Sequence, residues 1–90
     1  MKTIKAIATG KVQGVCYRMY TQQKARQLGV KGYVRNLRNG DVEIVATGEE
    51  TAVDVLTKWV ESGSPSAVVS NVQAEVITDV EDFQDFAIRY

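Results

Sequence analysis

The chain has 90 residues, of which 44% are hydrophobic and one is proline, as expected of one compact globular domain over residues 1–90. Its 11 basic and 11 acidic residues balance, which excludes bulk attraction to nucleic acid or to an anionic membrane. The sequence contains no histidine, which excludes Ser-His-Asp and Cys-His catalytic groups and removes the commonest zinc ligand.

The single cysteine, Cys16, cannot form an internal disulfide, and the longest apolar runs span only a few residues. No segment has the pattern of a signal peptide or of a membrane span. We therefore expect a cytoplasmic protein that has neither a membrane nor a nucleic acid as its partner.

The first two predicted elements are a strand and a helix. Residues 3–10 are rich in Ile, Ala and Thr and end at Gly10, as a strand that leads into a loop does. A helix is predicted over residues 17–28, followed by Gly29 at the position where a left-handed residue ends a helix. Its apolar face, at the spacing i, i+4, i+8 and i+11, consists of Tyr17, Thr21, Ala25 and Leu28.

Residues 30–48 contain two strand-like runs around an Asn-Gly pair and predict a β-hairpin. A two-residue turn would place Asn36 opposite Glu43, but it divides the apolar residues between the two faces of the sheet. A three-residue loop over residues 38–40 keeps them together and is preferred. The pairs are then Asn36 with Val42, Val34 with Ile44 and Gly32 with Ala46 on one face, and Arg35 with Glu43 and Tyr33 with Val45 on the solvent face.

The second half of the chain predicts one helix and two strands. Residues 49–63 have acids in the first turn and a glycine and a proline near the end, as an amphipathic helix does. Its apolar face consists of Ala52, Leu56, Trp59 and Val60. Residues 67–78 and 83–90 alternate in polarity and predict two strands. One face of the first carries Val68, Ser70, Val72, Ala74 and Val76, and one face of the second carries Phe86, Ile88 and Tyr90.

The order of the predicted elements is β-α-β-β-α-β with one additional strand. Right-handed crossovers place both helices on the same face of a small sheet. The predicted fold is therefore a ferredoxin-like α+β sandwich, in which two helices cover one face of an antiparallel sheet with a short extra C-terminal strand. This fold alone does not assign a function.

The segment GKVQGVCYR, residues 10–18, joins the first strand to the first helix. The free backbone N–H groups and the dipole at a helix N-terminus favour an anion. Gly10 and Gly14 permit a loop in which successive amides converge, and the guanidinium of Arg18 can bond two phosphate oxygens at once. The segment matches neither the Walker A pattern nor G-x-G-x-x-G, so these residues predict a phosphate site without specifying a reaction.

Two further residues bear on this site. Asn36 lies on the helix-facing side of its strand, where an unsatisfied amide costs about 1–3 kcal/mol, so it needs a water, a ligand or a backbone group as partner. Cys16 lies near a helix N-terminus and an arginine, where a thiol can become nucleophilic. Thiol phosphatases space their cysteine and arginine as C-x5-R, whereas only Tyr17 separates Cys16 from Arg18. We therefore expect the backbone of Cys16 to matter and its thiol not to.

Four motifs occur together at a specific spacing. They are GKVQGVCYR at 10–18, GYVRN at 32–36, GDVEIVATG at 40–48 and SGSPSA at 62–67. In these motifs, and over essentially its whole length, the chain resembles the acylphosphatases. It departs from the family at Tyr17, where phenylalanine is usual, and Cys16 occupies a variable position.

The resemblance implies hydrolysis of a small-molecule acyl phosphate, a mixed carboxylic–phosphoric anhydride, to a carboxylate and inorganic phosphate. It implies that Asn36 positions the attacking water and that phosphate or sulfate binds at the same site. The phosphoryl group would be held by Val12, Gln13, Gly14, Val15, Cys16, Tyr17 and Arg18. The resemblance implies no metal, no cofactor and no covalent phosphoenzyme, and nothing in the sequence requires more than a monomer.

The alternative is a non-catalytic ferredoxin-like module that binds a small anion or RNA as a regulator. RNA binding on the sheet face requires several exposed aromatic side chains beside basic ones. Tyr33 is one candidate, and the balanced charge provides no basic stripe.

Overall fold

Five strands and two helices make up the described part of the chain, residues 1–78 and 81–90, in a computed structural model. Residues 79 and 80, which the predicted domain 1–90 includes, lie outside the described residues. Of the helices in these ranges, neither is long and apolar enough to cross a membrane. The elements are, in chain order, β1 (Lys2–Lys11), α1 (Tyr17–Leu28), β2 (Lys31–Asn36), β3 (Val42–Gly48), α2 (Glu50–Trp59), β4 (Val68–Val76) and β5 (Phe86–Arg89).

Helix α1 has the predicted bounds, whereas α2 is shorter than predicted. The residue after α1, Gly29, has a left-handed φ of 72°, as its place in the sequence predicts. The helix predicted over residues 49–63 ends at Trp59. Beyond it, the backbone N–H groups of Glu61 and Ser62 bond to carbonyls three residues back, so the last part of the predicted helix forms tighter turns.

The strands form one sheet in the order β4-β1-β3-β2-β5. Four strands pair antiparallel as predicted, but β5 pairs parallel with β2, so the sheet is mixed rather than antiparallel throughout. The connectivity explains this difference. Because β4 runs antiparallel to β2 at the opposite edge, a strand that returns from β4 runs in the direction of β2. This strand also occupies only part of the predicted stretch 83–90.

The hairpin of β2 and β3 has the preferred register. Asn36 pairs with Val42 and Val34 with Ile44, as the three-residue loop predicts. The loop is closed by a hydrogen bond from the Leu37 N–H to the Asp41 carbonyl, at 2.8 Å. This register places the buried Val34, Val42 and Ile44 on the helix-facing side of the sheet.

A β-bulge changes which side of β4 faces the core. The pairing of β1 with β4 skips Ser70 next to Gly10. On the C-terminal side of the bulge, Val72 packs against the core as the predicted alternation requires. On its N-terminal side, Val69 packs against the core in place of the predicted Val68, which is 64% exposed. The bulge needs a glycine at position 10, because φ is 121° and a Cβ there would collide with the Val68 carbonyl.

Both helices pack on one face of the sheet, α1 against β2 and β5 and α2 against β1 and β3. Val53 and Leu56 form the centre of the buried face of α2, and Val60 just beyond the helix is also buried. The predicted Ala52 and Trp59 are only partly buried at its margin. The largest fully buried side chains of the core are those of Tyr17, Phe86, Ile44 and Leu56.

The opposite face of the sheet contains a buried acid. The sequence predicts a solvent-exposed pair of Glu43 with Arg35, but Glu43 is only 5% exposed. Its Oε1 accepts bonds from the Tyr33 hydroxyl at 2.6 Å and from Arg35 Nε at 2.8 Å, and Lys5 Nζ lies 3.6 Å from its Oε2. Burial alone would raise the pKa of Glu43, but the hydrogen bonds from Arg35 and Tyr33 outweigh it and lower that pKa. Burial, together with the bond to Glu43, raises the pKa of Tyr33 to about 12.

The lowered pKa of Glu43 predicts an acid-labile contribution to stability. This contribution is fully present above the unfolded-state pKa of about 4.3 and is lost as the pH falls through the lower pKa of the folded state. The Glu43→Gln variant should therefore be less stable than wild type at pH 7, and the difference should shrink toward pH 3. Urea unfolding at a series of pH values measures it. Glu75→Gln, which alters an exposed acid on β4, is the control, and equal pH dependence in wild type and Glu43→Gln would contradict the prediction.

Candidate active site

A cleft of about 380 Å³ lies where the β1–α1 loop, the first turn of α1 and the ends of β2 and β5 meet. Its size suits a small ligand. Arg18 and Asn36, which the sequence places on different elements, both line it. The full lining consists of Val12, Gly14, Cys16, Tyr17, Arg18, Met19, Asn36, Ile88 and Tyr90.

The loop between β1 and α1 turns two of its side chains, Val12 and Val15, toward the core. Val12 is 1% exposed and Val15 8% exposed, and both belong to the core. On either side of Val15, Gly14 and Cys16 have left-handed φ angles of 73° and 61°. Among the described residues, Cys16 is the one non-glycine residue with a positive φ. Such a backbone can bring successive N–H groups together into an anion-binding concavity.

Residues that follow α2 anchor this loop on the side that faces the core. The Ser64 hydroxyl, 2% exposed, donates to the Val15 carbonyl at 2.8 Å, and the Tyr17 hydroxyl donates to the Val60 carbonyl at 2.7 Å. Gly63 lies against the Tyr17 ring so closely that a Cβ there would overlap it. Burial raises the pKa of Tyr17, so this hydroxyl stays protonated as a donor. The motif SGSPSA stands out in the sequence, but its pattern does not predict that Ser64 anchors the loop.

The N-terminus of α1 is positive and lacks an acid in its first turn. Arg18 adds a further positive charge there, and in the part of the chain that the structure describes it forms no ion pair. Its Nη1 donates to the Arg89 carbonyl at 3.3 Å, and its Cζ lies 4.8 Å from the centre of the Tyr90 ring. The end of β5 therefore directs the guanidinium, and its positive surroundings favour an anionic ligand.

Asn36 contributes a buried acceptor to the cleft. It is the last residue of β2, and its Oδ1 is buried without a hydrogen-bond partner among the described residues. The alternative partner, a nearby backbone group, is therefore not the one that the oxygen has. An unpaired acceptor needs a donor, and a water O–H can supply one, whereas a fully ionised phosphate cannot.

No metal-binding cluster accompanies the cleft in residues 1–78 and 81–90, where no three His, Cys, Asp or Glu side chains lie close enough together to hold an ion. Cys16 is a free, exposed thiol that lines the cleft. Tyr33, the candidate RNA-stacking residue, lies on the other face of the sheet and is covered by Arg89, whose Cζ is 4.2 Å from the ring centre.

Comparison with known proteins identifies the family. The acylphosphatase family model matches residues 4–88. The chain belongs to the acylphosphatase family. An acylphosphatase of Coxiella burnetii (strain Dugway 5J108-111) is 49% identical over 96% of this chain and 90% of its own length. One of Thermotoga petrophila is 46% identical over 100% and 99% of the two chains.

Solved structures agree with this assignment. The crystal structure of acylphosphatase from Bacillus subtilis matches this chain with a TM-score of 0.95 at 33% identity, over 100% of both chains. The predicted ferredoxin-like fold and the predicted activity, hydrolysis of acyl phosphates, are thus confirmed. The alternative of a non-catalytic regulatory module is not retained.

The anchoring of the loop by Ser64 predicts a large loss of stability when its hydroxyl is removed. Ser64→Ala leaves the buried Val15 carbonyl without this donor, which should lower the free energy of unfolding by about 1–3 kcal/mol. Ser62→Ala is the matched control, because the Ser62 hydroxyl makes a similar bond to the Trp59 carbonyl but is exposed. Urea unfolding of both variants measures the difference, and an equal loss in the two would show that Ser64 is not an anchor.

Proposed function

We propose that the acyl phosphate binds with its phosphoryl group between the β1–α1 loop and Arg18, where a water held by Asn36 attacks it. The observation that carries this proposal is the buried, unpartnered Oδ1 of Asn36 in the same cleft as Arg18. The cleft combines a cation and a helix N-terminus with a lone acceptor. An anion and a water satisfy these two needs separately.

The phosphoryl group requires positioning and charge stabilisation more than proton transfer. Phosphoryl transfer spreads negative charge over three equatorial oxygens, which backbone amides and a guanidinium stabilise well. In the proposed arrangement the amides of the loop form the cradle and Arg18 clamps two of the oxygens. The cradle consists of the backbone of Val12, Gln13, Gly14, Val15, Cys16 and Tyr17.

The attacking water is oriented rather than deprotonated by the protein. The Asn36 carboxamide is too weakly basic to take a proton, but its Oδ1 accepts one water O–H and so points an oxygen lone pair at phosphorus. A bond forms between the water oxygen and phosphorus while the bond from phosphorus to the acyl oxygen breaks. The water proton passes to an oxygen of the phosphoryl group, and the acyl oxygen leaves as a carboxylate.

The leaving group explains why the proposed site needs no strong general acid. A carboxylate is a stable anion, so its departure needs no strong general acid, and a chain without histidine can catalyse the reaction. The proposal includes a monomer that acts in the cytoplasm on small acyl phosphates, without metal or cofactor. What supports a monomer is that Arg18 and Asn36 reach the same cleft within one chain.

Turnover of benzoyl phosphate without added metal tests the proposed mechanism as a whole. The release of benzoate is followed by absorbance in the presence of a chelator, with inorganic phosphate as a competitive inhibitor. Hydrolysis at the uncatalysed rate by the folded protein would contradict the metal-free mechanism.

Replacement of Arg18 should weaken binding and turnover together. Arg18→Gln removes the charge-assisted bonds to the phosphoryl oxygens, so kcat/KM should fall by about 100-fold or more and the inhibition constant of phosphate should rise. Arg26→Gln removes the same charge from the same helix at an exposed ion pair with Asp85 and should keep wild-type kinetics. Equal effects of the two substitutions would show that only net charge matters.

Replacement of Asn36 should lower turnover alone. Asn36→Ala removes the acceptor for water but leaves the loop and the guanidinium, so kcat should fall by about 100-fold while KM and phosphate inhibition stay near wild type. Asn71→Ala, at an exposed position on β4, is the control for loss of a carboxamide. Wild-type kcat in Asn36→Ala would rule out the proposed role in orienting water.

A further inference from the structure

The side chain of Gln13 joins the β1–α1 loop to the β2–β3 hairpin. Its Nε2 lies 2.8 Å from the Leu37 carbonyl and 2.9 Å from the Asp41 carbonyl. A carboxamide has two N–H donors, and both are used here. The bonds span 24 and 28 residues of sequence, so they hold together two segments that are otherwise separate in the chain.

The two carbonyls that Gln13 binds are those that close the hairpin loop. The Asp41 carbonyl also accepts the Leu37 N–H at 2.8 Å, and the Leu37 carbonyl also accepts the Gly40 N–H at 3.2 Å. Leu37 directly follows Asn36. These bonds close the hairpin loop. The position of this loop therefore fixes the end of β2 and the backbone position from which the Asn36 side chain extends.

The sheet itself does not join the two halves of the proposed site directly. β1, which leads into the cradle, and β2, which ends at Asn36, are separated in the sheet by β3. Beyond the ends of these strands, Gln13 provides a direct link between the cradle and the hairpin. An in-line attack is sensitive to displacements of about 1 Å, which can cost on the order of 100-fold in rate.

We propose that the side chain of Gln13 is a positioning residue that sets the distance between the phosphoryl cradle and the water held by Asn36. The inference rests on the proposed roles of Arg18 and Asn36. It is separate from the part assigned to the backbone amide of Gln13 in the cradle. The glutamine is specific for this task, because it offers two neutral donors at one nitrogen. A glutamate of the same length would direct an acceptor and a negative charge at two carbonyls.

Two substitutions of nearly equal length test this role. Gln13→Met keeps the volume and removes both donors, and Gln13→Glu keeps the shape and reverses the polarity. With benzoyl phosphate as substrate, each should lower kcat by about tenfold. KM and the inhibition constant of inorganic phosphate should stay within about twofold of wild type, because the loop and Arg18 still bind the phosphoryl group.

Gln22 offers a matched control. Its Nε2 donates to the Phe86 carbonyl at 3.0 Å, so Gln22→Met also removes a partly buried bond from a glutamine to the backbone, but outside the cleft. Thermal unfolding shows whether each variant is folded at the assay temperature. A structural role alone would lower the unfolding midpoint of Gln13→Met and Gln22→Met and leave kcat unchanged in both.

A double-mutant cycle separates positioning of the water from a general effect on the site. In the Asn36→Ala background there is no oriented water to misplace, so Gln13→Met should change kcat by less than about threefold. Wild-type kcat in both Gln13 variants, a loss confined to KM, or the same loss of kcat in both backgrounds would overturn the positioning role.

The same series shows which proposal has failed. Wild-type kinetics in Arg18→Gln and Asn36→Ala would overturn the proposed roles of those residues and with them the role of Gln13. If both of these variants lose activity while Gln13→Met and Gln13→Glu retain wild-type kcat, only the positioning role is overturned.

Discussion

The left-handed backbone at Gly14 and Cys16 is the constraint on which the rest of the site depends. A non-glycine residue in this conformation costs about 1–2 kcal/mol and persists only where its surroundings hold it. The surroundings act from the core side, where Val12 and Val15 are buried and the Ser64 hydroxyl binds the carbonyl between the two left-handed residues. With its side chains held inward, the loop can offer backbone amides as ligands. The proposed phosphoryl cradle therefore depends little on the chemistry of its own side chains.

The second requirement is a positive charge that stays in place without a carboxylate partner. Arg18 stands at a helix N-terminus, where a cation is unfavourable unless an anion is bound. The carbonyl of Arg89, at the end of β5, and the ring of Tyr90, which follows this strand, both lie beside the guanidinium. Neither partner neutralises the charge, so it remains available to a phosphoryl group. The parallel pairing of β5 with β2 brings the end of β5 to the first turn of α1.

Local patterns in the sequence predicted much of this arrangement. Helical spacing and Gly29 gave α1, and the demand that apolar side chains share a face gave the hairpin register and the place of Asn36. What the patterns missed depends on contacts between distant segments. The bulge opposite Gly10 reverses the inward side of β4, and the bonds of Ser64 and Gln13 cross 24 to 49 residues of sequence. Periods of 2 and 3.6 residues carry no information on such contacts.

The β2–β3 register matters for function as well as for stability. Side chains alternate along a strand, so a slip of one residue would turn Asn36 to the opposite face, where Arg35 binds the buried Glu43. The three-residue loop with its left-handed Gly40 sets the register, and Gln13 binds the carbonyls that close this loop. A site divided between two strands that are not neighbours needs such a fixed turn. In the proposed arrangement, the chemistry at phosphorus then depends on the turn of this hairpin.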